Sequence, residues 1–283
     1  MNFEDKLNCP SCRSGLQKDK DGFFCPVCRK SFPVSGEFLD FLDSQAKEDI
    51  RGKVMEEGAS IRNFFKRWPG FYYFIANFFG PLWFSGLSAE AFLKEYKTEG
   101  LSLNLGSGPK VFSPAVINVD VFPFSGVKVL ADISKLPLCD NSVSSIILDN
   151  VIEHLLNPEA AAGEARRVLE KGGMVYVCAP FLYPFHSSPR DFHRWTKEGL
   201  IRLFADFEIV EAGVRSGPFS ALTAYLCYFM ALTFSLGSKK AYWLMVNLFM
   251  FLFFPLKIFD IIYSRLPQAI HLSAMIYLVA RKR

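Results

Sequence analysis

The sequence predicts an α/β protein built on an open, mostly parallel sheet, with a small metal-binding module before it and an apolar helical hairpin inserted in it. Between residues 101 and 180, short apolar runs end in polar residues, and a capped helical pattern lies between the last two runs. Two closely spaced pairs of cysteines precede that region. Two stretches without charge, 218–236 and 241–256, interrupt the fold near its end.

Length and composition set the general class of the protein. A chain of 283 residues can hold one ordinary domain with additions. Its 51% hydrophobic residues and 30 Phe exceed what the core of such a domain requires. The net charge of only +4 makes nucleic acid an unlikely partner. The first residues are charged and lack an apolar run, so we expect no signal peptide and a location at the cytoplasmic face of the membrane.

The cysteine pairs lie at the start of the chain, in residues 1–43. Cys9 and Cys12 are separated by two residues, as are Cys25 and Cys28. Four thiolates from two short turns suit a tetrahedral Zn²⁺ ion, and an all-cysteine site is closed and structural. Such a module can dock on its own chain, bind RNA or bind a partner protein; we favour docking.

The first two strands of the predicted sheet carry a ligand-binding pattern. The alternating apolar run of 101–109 ends in a loop where Gly106 and Gly108 allow the backbone to approach a ligand closely. The second strand ends in Asp120, a position from which a carboxylate accepts ribose hydroxyls. Only about ten residues separate the strands, too few for a crossover helix, so we expect a truncated helix or a loop.

The remaining strands follow in order. Three apolar runs with polar C-terminal ends predict the next strands, at 127–133, 143–150 and 173–180. Asn157 as N-cap and Pro158 in the first turn predict a helix between the last two. Thr196 is the expected N-cap of a later helix, followed by strands at 207–214 and 273–280. Ligands of open α/β sheets bind beyond the carboxyl ends of the strands.

Six stretches, in this order and at these spacings, resemble class I S-adenosylmethionine-dependent methyltransferases of the type-11 group. They are 103–109, 118–120, 131–137, 140–143, 150–155 and 166–173. The resemblance covers roughly residues 101–207 and the last strand. It implies a Rossmann-like sheet of seven strands in the order 3-2-1-4-5-7-6, S-adenosylmethionine as cofactor, and methyl transfer as the reaction. The cysteine module resembles small zinc ribbons that precede some methyltransferases.

The same resemblance implies which residues contact the cofactor. These residues lie at the ends of the first four strands: Gly106, Ser107 and Gly108 beside the methionine part, Asp120 on the ribose, Asp132 and Ile133 beside the adenine, and Asp149 and Asn150 near the sulfonium. Asn104 stands where the family usually has an acid that helps to hold the cofactor's ammonium group. Pro109 and Lys110 stand where a third glycine is usual.

The acceptor site is expected directly after the fifth strand. In the resembling enzymes a His-x-x-Pro-x-Asp-Phe-x-Arg-Trp/Tyr-Thr run covers the acceptor, and 186–196 matches it. His186 is the expected general base because imidazole titrates near neutrality, and Asp191 would orient or replace it. Further acceptor-side candidates are His154, Arg190, His193 and Arg194, the arginines as ligands for a phosphate or carboxylate. The alternatives are a structural His154 and an Asp191–Arg194 pair.

Residues 44–100 are expected to form a linker followed by helices. In 61–68, aromatic and aliphatic residues share one helical side and three basic residues lie on the other. This pattern suits the surface of an anionic bilayer, and equally a helix packed on the sheet. The apolar stretch 71–79 is too short to span a membrane.

The apolar insertion, 218–271, separates residues 101–217 of the catalytic domain from its last strand at 272–283. Because the strands that flank it pair with each other, the insertion must cross a membrane twice or not at all. Two crossings would place Lys239 and Lys240 on the far side, against the positive-inside tendency. We therefore expect a hairpin that enters one leaflet, ahead of a two-span hairpin, a buried hairpin or a dimer interface. Asp260 and Arg265 predict an amphipathic exit along the surface.

These observations predict a membrane-associated methyltransferase that acts on an amphiphilic acceptor: a lipid, an isoprenoid or a lipid-linked sugar. One alternative is an RNA methyltransferase whose zinc ribbon binds RNA, although 149–152 lacks the Asn-Pro-Pro-Tyr motif of enzymes that methylate amino groups. The other is a non-catalytic membrane scaffold, for which Asn104 and the missing glycine would be the evidence.

Overall fold

The computed structural model describes residues 3–43, 47, 78–96, 100–186 and 190–283. The expected linker, the amphipathic helix at 61–68 and the apolar stretch up to residue 77 lie outside these residues. The described strands are β1 Gln17–Lys18, β2 Gly22–Phe24, β3 Ser31–Ser35, β4 Phe38–Asp40, β5 Ser102–Leu105, β6 Val116–Asp120, β7 Val129–Leu130, β8 Val143–Asp149, β9 Leu169–Pro180, β10 Phe207–Ser216 and β11 Met275–Lys282.

All of these strands form one mixed sheet. Their order is β1-β2-β3-β4-β7-β6-β5-β8-β9-β11-β10. From β4 to β9 the neighbours pair in parallel, whereas β11 is antiparallel to both β9 and β10. Counted from β5, the seven strands of the main sheet stand in the order 3-2-1-4-5-7-6. The α/β fold class is thereby confirmed.

The helices lie between the strands. They are α1 Ala89–Glu95, α2 Pro158–Val168, α3 Lys197–Leu203, α4 Pro218–Phe234, α5 Lys239–Phe253 and α6 Asp260–Tyr263. The Asn157 side chain accepts a hydrogen bond from Ala160 N at 3.0 Å, and that of Thr196 accepts one from Gly199 N at 3.0 Å. Both residues are the predicted N-caps. Residues 106–115, between β5 and β6, contain no helix, so the expected loop crossover is confirmed.

The centre of the sheet is the hydrophobic core. Strands β8 and β9 are buried on both faces, with Ile146, Ile147 and Val175 fully inaccessible. Parallel sheets covered on both sides have this continuous apolar character. The fixed core positions the polar residues that follow each strand at one edge of the sheet.

The cysteine module extends the sheet. Strand β4 pairs in parallel with β7, so that Leu39 lies opposite Val129. Nearer the N-terminus, Leu7 forms a β-bridge with Leu138, and the N–H of Cys139 donates to the carbonyl of Lys6 at 2.8 Å. The module therefore docks on the main sheet through backbone hydrogen bonds.

The apolar insertion leaves the sheet and returns at one point. Ser216, the last residue of β10, lies opposite Met275, the first of β11, and Met275 lies opposite Pro180 at the end of β9. Helices α4 and α5 pack against each other and form a hairpin. The described part of the chain contains one helical stretch, Lys239–Tyr263, with the length and composition to cross a membrane.

The exit from the hairpin differs from its prediction. Asp260 does not lie on an exposed polar face of an amphipathic helix; it is wholly buried. Its carboxylate accepts hydrogen bonds from the N–H groups of Phe219 and Ser220 at the start of α4. A carboxylate at a helix N-terminus satisfies free N–H donors and opposes the positive end of the helix dipole, which explains its burial.

Candidate functional site

The four predicted metal ligands meet at one point of the module. Their sulfur atoms all lie within 4.8 Å of one another, with Cys9 and Cys28 3.5 Å apart and Cys12 and Cys25 3.4 Å apart. A tetrahedral zinc ion with Zn–S bonds of about 2.3 Å requires sulfur atoms about 3.8 Å apart. The four thiols therefore fit a structural zinc ion.

The two cysteine turns have the same backbone design. The N–H of Arg13 donates to the carbonyl of Cys9 at 2.8 Å, and the N–H of Arg29 donates to that of Cys25 at 2.9 Å. Both arginines have φ near +60°. Burial opposes ionisation of Cys25, but the Ser14 hydroxyl and the N–H of Cys28 lower the pKa of its thiol to about 6. Thiolates are the form that binds zinc.

The glycine loop after β5 is held against β6 and β8. Gly106 has φ +64°, and a Cβ atom there would lie 2.7 Å from Cγ1 of Val151. Gly108 has φ +53°, and its N–H donates to Asp120 Oδ2 at 2.7 Å; a Cβ there would meet no atom within 4 Å. The loop is thus closed on one side and open on the other, as a cofactor cradle requires.

Asp120 lies at the end of β6, beside this loop. It is buried, which raises the pKa of its carboxyl, and the N–H groups of Phe122 and Gly108 oppose that shift. Each carboxylate oxygen accepts one backbone hydrogen bond, at 2.9 Å from Phe122 and 2.7 Å from Gly108. Since each oxygen can accept a second, Asp120 has the capacity to bind the two hydroxyls of a ribose.

Asn104 and Lys110, the departures from the usual pattern, fasten the loop. The amide nitrogen of Asn104 donates to the carbonyl of Lys110 at 3.2 Å and to Asn118 Oδ1 at 3.0 Å. The ammonium of Lys110 lies 3.2 Å from Asp149 and 3.3 Å from Glu90. Asn104 is almost inaccessible, and its amide links the loop residue Lys110 to Asn118 of β6.

The remaining candidates for the cofactor site lie along the same edge. Asp132 is exposed and caps the following turn, accepting the N–H of Ser134 at 2.8 Å, whereas Ile133 is buried. Asn150 has φ +59°, and its side chain donates to Asp149 Oδ1 at 3.0 Å. These placements leave the adenine and sulfonium assignments as predictions.

Three side chains converge behind the end of β8. Glu153 is wholly buried, and its Oε1 lies 3.7 Å from Nε2 of His154 and 3.7 Å from Nε2 of His186. Neither carboxylate oxygen of Glu153 has a hydrogen-bond partner among the described residues. Nδ1 of His186 lies 3.6 Å from Asp191 Oδ2, and the backbone N–H of His186 donates to that oxygen at 2.8 Å.

Asp191 and Arg194 pair with each other, as the structural alternative proposed. The guanidinium binds both carboxylate oxygens of Asp191 and also donates to the carbonyls of Tyr183, Pro184 and His193. All five N–H groups of Arg194 therefore have protein acceptors, and none is left for an acceptor anion. Burial raises the pKa of the Asp191 carboxyl, but the hydrogen bonds and charges of Arg194 and His186 together lower it by more. The pKa is therefore below its ordinary value, and the carboxylate stays ionised.

Comparison with known proteins places this edge of the sheet in a family. Residues 112–177, from the loop before β6 to β9, match a family described as a methyltransferase domain. The chain contains a methyltransferase domain. Enzymes with this domain use S-adenosylmethionine, and the cradle formed by Gly106, Gly108 and Asp120 fits that cofactor.

Individual proteins resemble parts of the chain. An uncharacterised protein encoded in a transposon of Streptomyces fradiae is 32% identical over 87 residues, which are 31% of this chain and 25% of that protein. The chain thus spans about a quarter of the length of this curated relative.

Solved structures resemble it more widely at lower identity. Phosphoethanolamine N-methyltransferase 2 of Haemonchus contortus, solved with S-adenosyl-L-methionine, has a TM-score of 0.47 at 15% identity, covering 79% of this chain and 60% of its own. Geranyl diphosphate C-methyltransferase of Streptomyces coelicolor has a TM-score of 0.42 at 10% identity, covering 69% and 76%.

The residues predicted for the acceptor site separate into two groups. His154 and His186 meet at Glu153, while Arg190 is exposed and its carbonyl contacts Nδ1 of His154. The rings of His193 and Trp195 are in contact and tilted by 43°, with centroids 5.4 Å apart. Sequence reasoning did not select Glu153 as a site residue, although its position directly before His154 was an available signal.

Proposed function

We propose that the protein is an S-adenosylmethionine-dependent methyltransferase that methylates an amphiphilic acceptor at a membrane surface. The observation that supports this most strongly is the origin of the hairpin. Ser216 and Met275 flank it and lie level with Pro180, at the carboxyl end of β9. Ligands of open α/β sheets bind at this edge, so an apolar hairpin rooted there suits an acceptor with an apolar part.

Contacts of Tyr183 connect the hairpin to the acceptor side. Burial raises the pKa of Tyr183. Tyr228 and Cys227, both in α4, lie close enough to Tyr183 to raise its pKa further. The rings of Tyr183 and His186 meet edge to face, with centroids 5.4 Å apart. Tyr183 therefore lies between α4 and the cluster of Glu153, His154 and His186. A substrate whose apolar tail lies along the hairpin could reach this cluster with its polar end.

The outer surface of the hairpin supports contact with lipid. Large apolar side chains are exposed along both helices and the turn: Leu222, Phe229, Leu232, Leu236, Trp243, Leu244, Leu248, Phe251 and Leu252. No charged residue occurs in 218–236 or 241–256. Exposed apolar patches of this extent mark interaction surfaces, and one without charges suits the acyl region of a bilayer.

In the proposed reaction, each of the residues at this edge of the sheet has a separate role. S-adenosylmethionine supplies, when bound, an electrophilic methyl group, and Gly106, Gly108 and Asp120 would hold it. The acceptor loses a proton as it is methylated, and His186 is the group we assign to receive it. Glu153, 3.7 Å away, would stabilise the resulting imidazolium. Asp191 would keep the ring oriented.

The proposal assigns the four cysteines to a structural zinc ion. Because β4 continues the main sheet beside β7, the ribbon would stabilise the edge on which the adenine is expected to lie. Docking gives the ribbon a role that requires no RNA.

A labelling experiment tests the proposed function. The purified protein and its Asp120→Ala variant are incubated with methyl-labelled S-adenosylmethionine and a lysate, which is then separated into lipid, RNA and protein. We expect label in the lipid phase with the wild type only. Label in RNA would support the RNA alternative, and cofactor binding without label in any fraction would support the scaffold.

Flotation with vesicles of phosphatidylcholine and phosphatidylglycerol tests the membrane contact separately. Leu232→Glu or Leu244→Glu in the hairpin should reduce flotation of the protein. Val27→Glu is the matched control, because Val27 is an equally exposed apolar residue on the ribbon. Equal flotation of all variants would contradict a hairpin that enters the bilayer.

A further inference from the structure

The carboxylate of Glu153 is buried without the partners that such a group requires. The residue is wholly inaccessible, and neither oxygen accepts a hydrogen bond from any described residue. An ionised carboxylate in this position carries a large desolvation cost unless a cation or hydrogen-bond donors compensate it. The rings of His154 and His186 face Oε1, and the guanidinium of Arg194, which is paired with Asp191, also interacts with Glu153 without donating a hydrogen bond to it.

The histidine rings present acceptors rather than donors to that carboxylate. Nδ1 of His154 contacts the carbonyl of Arg190, so this nitrogen carries the proton and Nε2 is left with a lone pair. Nδ1 of His186 faces the ionised carboxylate of Asp191 at 3.6 Å, which favours a proton on Nδ1 there as well. Two lone pairs and a carboxylate then point into one space, an arrangement that a cation stabilises.

The distances and the surroundings fit metal coordination. One ligand atom from each of the three residues lies within 4.8 Å of the others, and both Glu153-to-histidine distances are 3.7 Å. Tetrahedral zinc with bonds of about 2.05 Å requires ligand atoms about 3.4 Å apart. Histidine ligands usually donate their second N–H to a carbonyl or a carboxylate. Nδ1 of His154 contacts the carbonyl of Arg190, and Nδ1 of His186 lies 3.6 Å from Asp191 Oδ2, just beyond hydrogen-bond distance.

We propose that Glu153, His154 and His186 bind a divalent transition-metal ion. Two imidazoles and one carboxylate suit zinc, manganese, iron or cobalt, and three protein ligands leave at least one open coordination position. This site is separate from the cysteine cluster, which is closed by its four thiolates. The chain would therefore hold two metal ions of different chemistry.

The proposal that an ion binds here is argued from the geometry alone. The role of the ion in methyl transfer rests on the proposed function. An acceptor oxygen in the open position would be held by the ion, which lowers the pKa of a coordinated hydroxyl. The ion would then replace His186 as the group that promotes loss of the acceptor's proton, and the proton would pass to solvent. Methyl transfer would require the ion, and cofactor binding would not.

Cobalt titration tests the site without depending on turnover. The full-length protein receives one equivalent of zinc for the cysteine cluster and is then titrated with Co²⁺. We expect one further equivalent to bind, with visible d–d absorption and without the near-ultraviolet thiolate-to-cobalt charge transfer of a cysteine site. Glu153→Gln should weaken this binding at least about tenfold. His271→Gln is the matched control, because His271 is the one histidine outside the acceptor region.

The outcomes separate this inference from the proposed function. Loss of the cobalt signal in Glu153→Gln, with His271→Gln unchanged, supports the site whether or not methyl transfer is detected. His154→Gln is the second variant if Glu153→Gln fails to fold by circular dichroism. Equal Co²⁺ binding by the wild type and these variants, or no second equivalent in the wild type, would overturn the metal site. If methyl transfer in the labelling experiment then continued in the presence of a metal chelator, His186 would remain the proposed general base.

Discussion

Asp260 caps helix α4 by accepting a hydrogen bond from Ser220, which lies 40 residues earlier in the chain. Its Oδ2 accepts the N–H of Ser220 at 2.8 Å and the hydroxyl of the same residue at 2.6 Å, while Oδ1 accepts the N–H of Phe219 at 2.9 Å. Gly217 allows this approach, because a Cβ atom there would lie 2.4 Å from Oδ1. The cap fixes the end of the hairpin to its beginning, beside the edge of the sheet.

Replacing Asp260 with alanine should destabilise the protein strongly. Three donors, two of them buried, would lose their acceptor, and hydrogen bonds to charged groups contribute about 1.5–3 kcal/mol each. We expect the free energy of unfolding to fall by roughly 3 kcal/mol, measured by urea denaturation in detergent. Asp206→Ala is the control, because Asp206 is exposed. Equal effects of the two substitutions would contradict the cap.

Gly106→Ala should weaken cofactor binding. The new methyl group would lie 2.7 Å from Val151 in a left-handed conformation, so the loop would have to move away from its position between β6 and β8. Gly163→Ala provides the comparison, because Gly163 is in helix α2 and a Cβ there meets no atom within 4 Å. Calorimetric titration with S-adenosylmethionine should show at least about tenfold weaker binding for Gly106→Ala only.

The parts of the fold that sequence predicted are those set by local pattern and chain length. The apolar runs located β5, β6, β8 and β9, and a separation of about ten residues between the first two excluded a crossover helix. Asn157 and Thr196 have side chains that compete for the first N–H groups of a helix, so their caps could be predicted from sequence alone. The cysteine spacing located a cluster whose geometry is likewise local.

The site residues that sequence did not predict depend on contacts between distant segments. Glu153 is buried by the segment after β9, where the N–H of Phe192 donates to the carbonyl of Glu153 at 2.8 Å. Asp260 looked like part of an exposed polar face, because the pattern cannot show that the start of α4 lies opposite it. The sequence predicted that Arg194 could bind an anion, but the carbonyls of Tyr183, Pro184 and His193 occupy the N–H groups that Asp191 does not. Side-chain function of this kind is set by tertiary contacts.

Removal of zinc from the ribbon should destabilise the edge of the methyltransferase sheet. Strand β4 belongs to the ribbon and pairs with β7, so unfolding of the ribbon would expose the backbone of β7. We expect Cys12→Ser to release one zinc ion per chain and to lower the melting temperature, as measured by elemental analysis and thermal denaturation. Cys139→Ser, outside the cluster, should retain zinc and stability. Zinc loss with an unchanged melting temperature would show that the ribbon folds without metal.

Lys110 should contribute a pH-dependent stabilisation to the cofactor loop. Burial opposes the charge of its ammonium, but Asp149 and Glu90 raise its pKa above the ordinary value of 10.5. A lysine whose pKa is raised by folding stabilises the folded state below the unfolded pKa, and this contribution is lost as the pH rises through the folded pKa. The side chain is 39% exposed, so solvent screening limits the effect to about 0.5–1 kcal/mol.

Lys110→Met should therefore be less stable than the wild type at pH 7, and the difference should shrink above pH 10.5. Lys128→Met corrects for the other groups that titrate in alkali, because Lys128 is exposed and makes no ion pair among the described residues. Urea denaturation at intervals from pH 7 to about pH 11 measures both differences. A gap between Lys110→Met and the wild type that stays constant across this range would show that packing, and not the charge of Lys110, holds the loop beside Asp149.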